Sequence, residues 1–414
     1  MDVPCLWQNG RIAVTAASDT PAFPTMRPAG CPYDPPEPYA ALREAGPMSK
    51  VRCPAGMDAW LVTRYADVRA VLADPAMSSR VGSSAHVYPH ADFGEEVNPG
   101  SIIQLDGKEH ARLRRMVIGE FTVRRAEAMR TYIQELVESH LDAMLARPGE
   151  ADLVRDFALP IPMLVVCELL GVPYADRERF ERQSATMLSA DTTREQVHQA
   201  FGEMSGLLAE LIGDKQQNPQ DDLLSRLIAR SEAGGDPLST GELVVLGLSL
   251  LVGGLESTVN VIALSTLVLL EHPDQREAVL AAPERAVEEL LRYMSVVQAG
   301  LLRYATEDVQ VGARAVKAGE WLVVALDSAD RDEEVFPGAG KLDFHRESPR
   351  AHVTFGFGPH QCVGRSLARV ELQEALTRLF RRVPDLRLAV PRESLAYKHN
   401  TVVYGVRELP IAWG

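Results

Sequence analysis

The stretch FGFGPHQCVGRSLARVELQEAL, from Phe355 to Leu376, sets a single cysteine, Cys362, among Gly356, Gly358, Pro359 and Gly364, just ahead of an amphipathic helical pattern. Glycines allow close approach of backbone to a neighbouring group. A cysteine at a helix N-terminus has its thiolate favoured by free N–H groups and the helix dipole, which suits it to nucleophilic or metal-ligand work. By residue types alone three readings stand: a structural thiol beside a Gly-rich turn, the nucleophile of a Cys/His hydrolase, or a metal ligand.

The surrounding chain narrows the class. Its 414 residues, 46% hydrophobic and 24% charged, suffice for a large core, in two or three domains or one large enzyme domain. A formal net charge of −14 argues against wholesale binding to nucleic acid or an anionic membrane, so any basic docking surface must be local. Five scattered cysteines, Cys5, Cys31, Cys53, Cys167 and Cys362, include no CxxC pair and no zinc spacing, as expected of a reducing, cytoplasmic compartment. Residues 1–30 lack the basic start and apolar run of an export signal and read as an N-terminal extension to one domain spanning 31–414. Leu243 to Leu270 is long enough to span a bilayer, but its only charge, Glu256, lies at its midpoint among Ser249, Ser257, Thr258 and Asn260. It is expected to be a buried helix, with no membrane insertion.

Helical spacing dominates from Lys108 to about Val370, including 126–145, 160–170, 195–214 and 274–294. Ser239 with Glu242 forms a capping-box pattern that starts the long apolar helix. Ala59–Thr63 reads as a strand, VQVGARAVKAGEWLVVAL at 309–326 as a small β region, and LAYKHNTVVYGVRELPIAW near the C-terminus as a β pair. Val81 to Ile103, mixing Gly, Pro, Ser and charge, reads as a long surface loop of the kind that gates a site. The fold class is mainly α (α+β), with strands as a minority.

At every defining position the Cys362 segment resembles the FxxGxxxC cysteine loop of the cytochrome P-450 superfamily and its bacterial extension FGxGxHxCxG. The resemblance implies the triangular prism fold with a small β lobe, and a haem b whose iron is ligated by the Cys362 thiolate. It places Phe355 near the sulfur and His360 near a propionate. Thiolate ligation favours O–O cleavage.

Other segments extend the likeness over nearly the whole chain. In LVGGLESTVN (251–260), small and hydroxyl residues at Ser249, Gly253 and Ser257 share one face, which fits either tight helix packing or close approach of another group. The segment is similar to the family's oxygen-binding groove, which puts Gly253, Gly254, Glu256 and Ser257 over the haem. Ser257 stands where threonine is usual, with Thr258 following. Serine keeps the hydroxyl that proton delivery needs but lacks the methyl that restricts rotamers, so a less constrained water network is expected. Glu289 and Arg292, three apart, read alone as a solvated pair. With Arg346 in FHRE they resemble the family's ExxR triad. His110 and Arg114 in DGKEHARLRR read as a charged helix face, yet match the family's HxxxR pattern; with Arg303 they are carried over as propionate partners. His352 is taken as structural.

The resemblance implies a monooxygenase that inserts one atom of O2 into a hydrophobic small molecule, here a terpenoid or polyketide intermediate of specialised metabolism, with catalysis assigned to Glu256, Ser257 and Thr258. It implies NAD(P)H-derived electrons arriving through a ferredoxin and a ferredoxin reductase. Lys108, Arg112, Arg115, Arg365 and Arg369 are the expected docking face. The expected lining of the substrate site is the loop at 81–103, Ser249, Val252, the segment 296–301, and Val402 with Val403. Epoxidation, desaturation, ring formation or peroxide-driven oxidation on the same fold stands as the alternative, and a non-enzymatic haem-thiolate sensor as a remoter one.

Overall fold

The computed structural model describes residues 20–28, 31–80, 87, 98–188, 193–235, 237–347, 349–399 and 401–414. Most of the chain is helical, and one helix organises the rest: Thr240–Glu271, 32 residues long. It begins where the capping pattern predicts. Ser239 Oγ accepts from Glu242 N (3.2 Å) and Glu242 Oε2 accepts from Ser239 N (2.8 Å), so orphan donors of the first turn are satisfied reciprocally.

By length and composition this helix could cross a membrane, but it is enclosed by protein. Helices Pro160–Leu170, Arg194–Gln217, Pro283–Met294 and Arg365–Arg382 pack around it. Its glycines take different parts. At Gly247 a Cβ would touch Leu208 (3.5 Å), and at Gly254 it would touch Val166 (3.4 Å), so these two admit the crossing helices. A Cβ at Gly253 would meet nothing within 4 Å, and Gly253 is exposed in the middle of an otherwise buried helix. The face that carries Gly253 is thus open, while Gly247 and Gly254 lie against the crossing helices.

The helix expected at 160–170 appears as Pro160–Leu170, with proline in its first turn and Gly171 at φ 74° closing it. The helix expected over 274–294 is instead two, Arg276–Ala281 and Pro283–Met294. Pro283 has no N–H to continue the first helix and suits the first position of the second.

The main sheet has the spatial order Met48–Arg52, Asp58–Val62, Trp321–Val324, Leu301–Ala305, Met77–Ser78. Only the pairing of Asp58–Val62 with Trp321–Val324 is parallel, with Trp60 opposite Leu322. Leu301–Ala305 lies antiparallel between Trp321–Val324 and Met77–Ser78, which sets Arg303 beside Leu322 and Tyr304 beside Ser78. The expected C-terminal β pair is reduced to the single bridge Tyr397–Val406, while Pro410–Ala412 pairs with Glu150–Asp152 and Arg387–Leu388. Its partners lie far away in sequence, where local alternation cannot reveal them. Of the expected gating loop, 81–86 and 88–97 lie outside the described residues, as do 1–19, 29 and 30 of the N-terminal extension.

Candidate active site around Cys362

The segment before Cys362 is a tight hairpin. Cys362 N donates to Phe355 O (2.8 Å), Gly356 N to Val353 O (2.7 Å) and Gln361 N to Gly358 O (3.1 Å). Gly358, at φ 72°, sits so close to the helix Tyr65–Ala73 that a Cβ would fall on the Leu72 carbonyl. Only glycine meets both demands. Arg369 lies over the Phe355 ring at 4.6 Å and, through Nε (2.5 Å) and Nη2 (2.9 Å), grips Glu288, which also meets His352 Nε2 at 2.9 Å. Burial pushes the Glu288 acid up, but the hydrogen bonds from His352 and Arg369 outweigh it and hold it at about 2. His352 is thus a structural partner, as expected, and Glu288 is the residue that sequence reasoning passed over in favour of its neighbour.

That neighbour, Glu289, is fully buried with Arg292. Its Oε1 accepts from Arg292 Nη2 (2.7 Å) and Oε2 from Arg292 Nε (2.8 Å) and Arg346 Nε (3.1 Å). The ExxR pair is therefore no solvated surface pair. Arg292 also donates to the carbonyls of Asp330 and Ala339, which ties the helix Pro283–Met294 to the loop leading towards the cysteine.

Cys362 itself is solvent-accessible by area, yet its thiol is surrounded by protein deep in the fold. Both are true of a group facing an internal cleft. The helix N-terminus does not by itself lower the thiol: burial pushes it up, opposed by the Gly364 N–H and by Arg365, Arg114 and Arg369. Arg114 Nη2 donates to Gln361 O (2.6 Å) and Arg365 Nη1 to Cys362 O (3.1 Å).

Above the loop, His110 stacks on His360, and His360 Nε2 meets Asp106 Oδ1 at 3.2 Å. Asp106 also accepts from Ser78 Oγ (2.5 Å) and Ser79 N (3.0 Å). Asp106 precedes the helix Gly107–Val117, but its side chain makes no cap bond there, and the sequence reading assigned it no role. Burial lowers the Arg303 guanidinium to about 10, with Asp106 pulling it back up, and among the described residues its one hydrogen bond is to Leu302 O (2.8 Å). His110 Nε2 is buried without a partner. A buried guanidinium, an orphaned imidazole nitrogen and a cleft-facing thiol are the donor set that a planar iron macrocycle with two carboxylates requires, so the residues present fit haem.

On the central helix, half-buried Ser257 donates through Oγ to Gly253 O (3.2 Å), beside the open Gly253. Thr258 turns to the other side, buried, with Oγ1 donating to Gly254 O (2.9 Å), so its hydroxyl is not brought to the cleft as the sequence reading expected. Burial pushes the Glu256 acid up and Lys398 counters it. The two segments expected to line the substrate site are brought together: Ala299 N donates to Val402 O (3.3 Å), Tyr404 N to Val296 O (2.7 Å), and Val297 bridges Val403. The expected basic face is thinner than its sequence, since Arg112 is paired with Glu242 (2.8 Å) and Arg369 with Glu288, leaving Lys108 and Arg115 exposed.

Comparison with known proteins agrees with this geometry. The chain is 45% identical to cytochrome P-450-SU2 of Streptomyces griseolus, over 96% of this chain and 98% of the relative. The chain belongs to the cytochrome P-450 family. The family profile itself matches residues 283–384 of this P-450, from the ExxR helix through the cysteine loop. The P-450 is 42% identical to pentalenic acid synthase of Streptomyces avermitilis, over 96% and 99% of the two chains. It superimposes on the crystal structure of CYP105P1 in complex with filipin I with a TM-score of 0.88, at 38% identity over 96% and 99%. The P-450 is a monooxygenase with haem b as cofactor, using O2 and electrons from NAD(P)H delivered through redox partners. Its helical prism with small sheets is that of the solved relatives.

Proposed function

We propose that Cys362 ligates the haem iron as a thiolate and that His110, Arg114, Arg303 and His360 hold the propionates. The observation that carries this reading is the accessible Cys362 at the end of its glycine-bound turn, with Arg114 held on the Gln361 carbonyl and Arg365 on that of Cys362 itself. Haem held there would supply the iron for a reaction in which one atom of O2 goes to substrate and the other, with two electrons and two protons, leaves as water. The chain supplies the rest. Phe355, under Arg369, shields the sulfur side, and Gly253 leaves room on the facing helix. Glu256 and Ser257 handle protons, with Ser257 donating and accepting at the cleft. Thr258 belongs to the packing side.

The substrate we propose is a hydrophobic natural product, a terpenoid or polyketide intermediate, hydroxylated beside the joined segments 296–301 and 402–403. The relatives named for pentalenic acid synthesis and bound to filipin I support this class. Electrons arrive from a ferredoxin and its reductase in the cytoplasm, docking near Lys108, Arg115 and Arg365. Residues 31–414 act as one catalytic domain.

The test is the carbon monoxide difference spectrum of the reduced protein beside Cys362→Ala. A strongly red-shifted Soret band in the native protein, absent in the variant, is expected; the band of a histidine-ligated haem in the native protein would refute the ligand assignment.

A further inference from the structure

The C-terminal hairpin is pressed against the central helix at the turn that carries Glu256. A Cβ at Gly405 would collide with the Asn260 side chain, and Asn260 Nδ2 donates to Glu256 O (2.9 Å), one turn back on the same face. Across the hairpin, Lys398 N donates to Gly405 O (2.8 Å). The Lys398 carbonyl accepts from Gln298 Nε2 (2.8 Å) and Thr401 Oγ1 (3.1 Å), so its backbone is held from both sides. Lys398 and Glu256 are both partly buried, and among the described residues neither side chain has an ion-pair or hydrogen-bond partner.

We propose that Lys398 is a positioning residue that governs proton transfer through Glu256 by presenting its ammonium to that carboxylate from the C-terminal hairpin. The proposal rests on the reading of Glu256 as the proton-handling acid. A buried carboxyl drifts towards its neutral form, which cannot take a proton from solvent. Burial disfavours the Glu256 carboxylate and the charge of Lys398 counters it; burial likewise disfavours the Lys398 ammonium, which the charge of Glu256 supports and that of Arg407 opposes. The pair is separated beyond direct contact, as a carboxylate that must exchange protons requires, since a direct ion pair would hold it in one state. Gln298 donates to the carbonyls of Lys398, His399 and Thr401, so the same hairpin that bears the cation is fastened to the proposed substrate-lining segment.

The experiment uses the haem-loaded protein and its Lys398→Met and Lys398→Arg variants, each first shown to keep the native carbon monoxide band. The Glu256 carboxyl stretch, assigned by its absence in Glu256→Gln, is titrated by infrared difference spectroscopy. Its midpoint is expected to rise by about half a pH unit or more in Lys398→Met and to return in Lys398→Arg. The acid limb of product formed per NADPH consumed should move the same way. An unmoved carboxyl midpoint overturns the hold of Lys398 on Glu256, and a moved midpoint with an unmoved product profile overturns its part in proton delivery. If Glu256→Gln itself leaves the product profile unchanged, the underlying assignment of Glu256 fails, a result separate from the infrared one.

Discussion

The imidazole of His110 lies against that of His360, with ring centroids 4.0 Å and planes 30° apart. Burial, the facing His360 and Arg114 together lower His110 to about 4, so at neutral pH it is an uncharged donor and not a cation. The unfolded chain binds a proton here near the ordinary value of 6.5 that the folded protein refuses until about 4. Stability therefore rises with pH across that window and falls as pH drops through it. Replacing His110 by Phe keeps a ring in the stack but removes the Nε2 donor, at a cost of about 1 kcal/mol of propionate binding. Haem transfer to apomyoglobin should quicken several-fold, and the urea midpoint should lose part of its slope between pH 4 and 6.5. Unchanged transfer would remove His110 from the propionate site.

Glu288 carries the opposite linkage. Its folded acid, at about 2, lies below the ordinary 4.5, so its contribution is present above pH 4.5 and disappears as pH falls towards 2. Glu288→Gln should flatten the acid limb of a stability-against-pH curve in that range while lowering stability at pH 7. A limb of native steepness in the variant would assign acid sensitivity to other carboxylates.

Glu289 is shared by two arginines with no exposure of its own. Glu289→Gln leaves the buried charges of Arg292 and Arg346 uncompensated, at a cost of about 3–5 kcal/mol. Urea unfolding is the measurement. A loss below about 1 kcal/mol, the range of exposed pairs, would return the motif to the surface-pair class.

Ser257 should respond to its missing methyl. Ser257→Thr restricts the rotamer next to Gly253 and is expected to raise the product formed per NADPH, whereas Ser257→Ala should lower it about tenfold or more. Measuring product, peroxide and NADPH together separates coupling from turnover. Equal coupling in all three proteins would show that the hydroxyl has no part in proton delivery. Product analysis with labelled O2 would also distinguish hydroxylation from epoxidation.

The legible part of this protein was local. Cys362, with its glycines and following helix, the Ser239–Glu242 box and the 160–170 helix could be read because caps, turns and periodicities are encoded within a few residues of where they act. Asp106 could not, because an aspartate before Gly107 carries the same signature whether it caps the helix or leaves the cap to hold His360 and two serines. Glu288 and Glu289 are adjacent and chemically identical; spacing to Arg292 marks Glu289 in the sequence, but the hold of Arg369 and His352 on Glu288 comes only from packing.

The sequence by itself carried the glycine-bound turn around Cys362, the helical content and the likeness to the cytochrome P-450 family, because turns, caps and helical periods depend on backbone freedom that neighbouring residues specify. Tertiary structure alone decided that Ser257 lies beside the open Gly253 while Thr258 is buried, that Arg112 and Arg369 are held in ion pairs, and that the hairpin bearing Lys398 packs at the turn of Glu256. Those outcomes depend on which faces of distant helices and hairpins are pressed together, and on the burial and charge that result, none of which is written in the spacing along one segment.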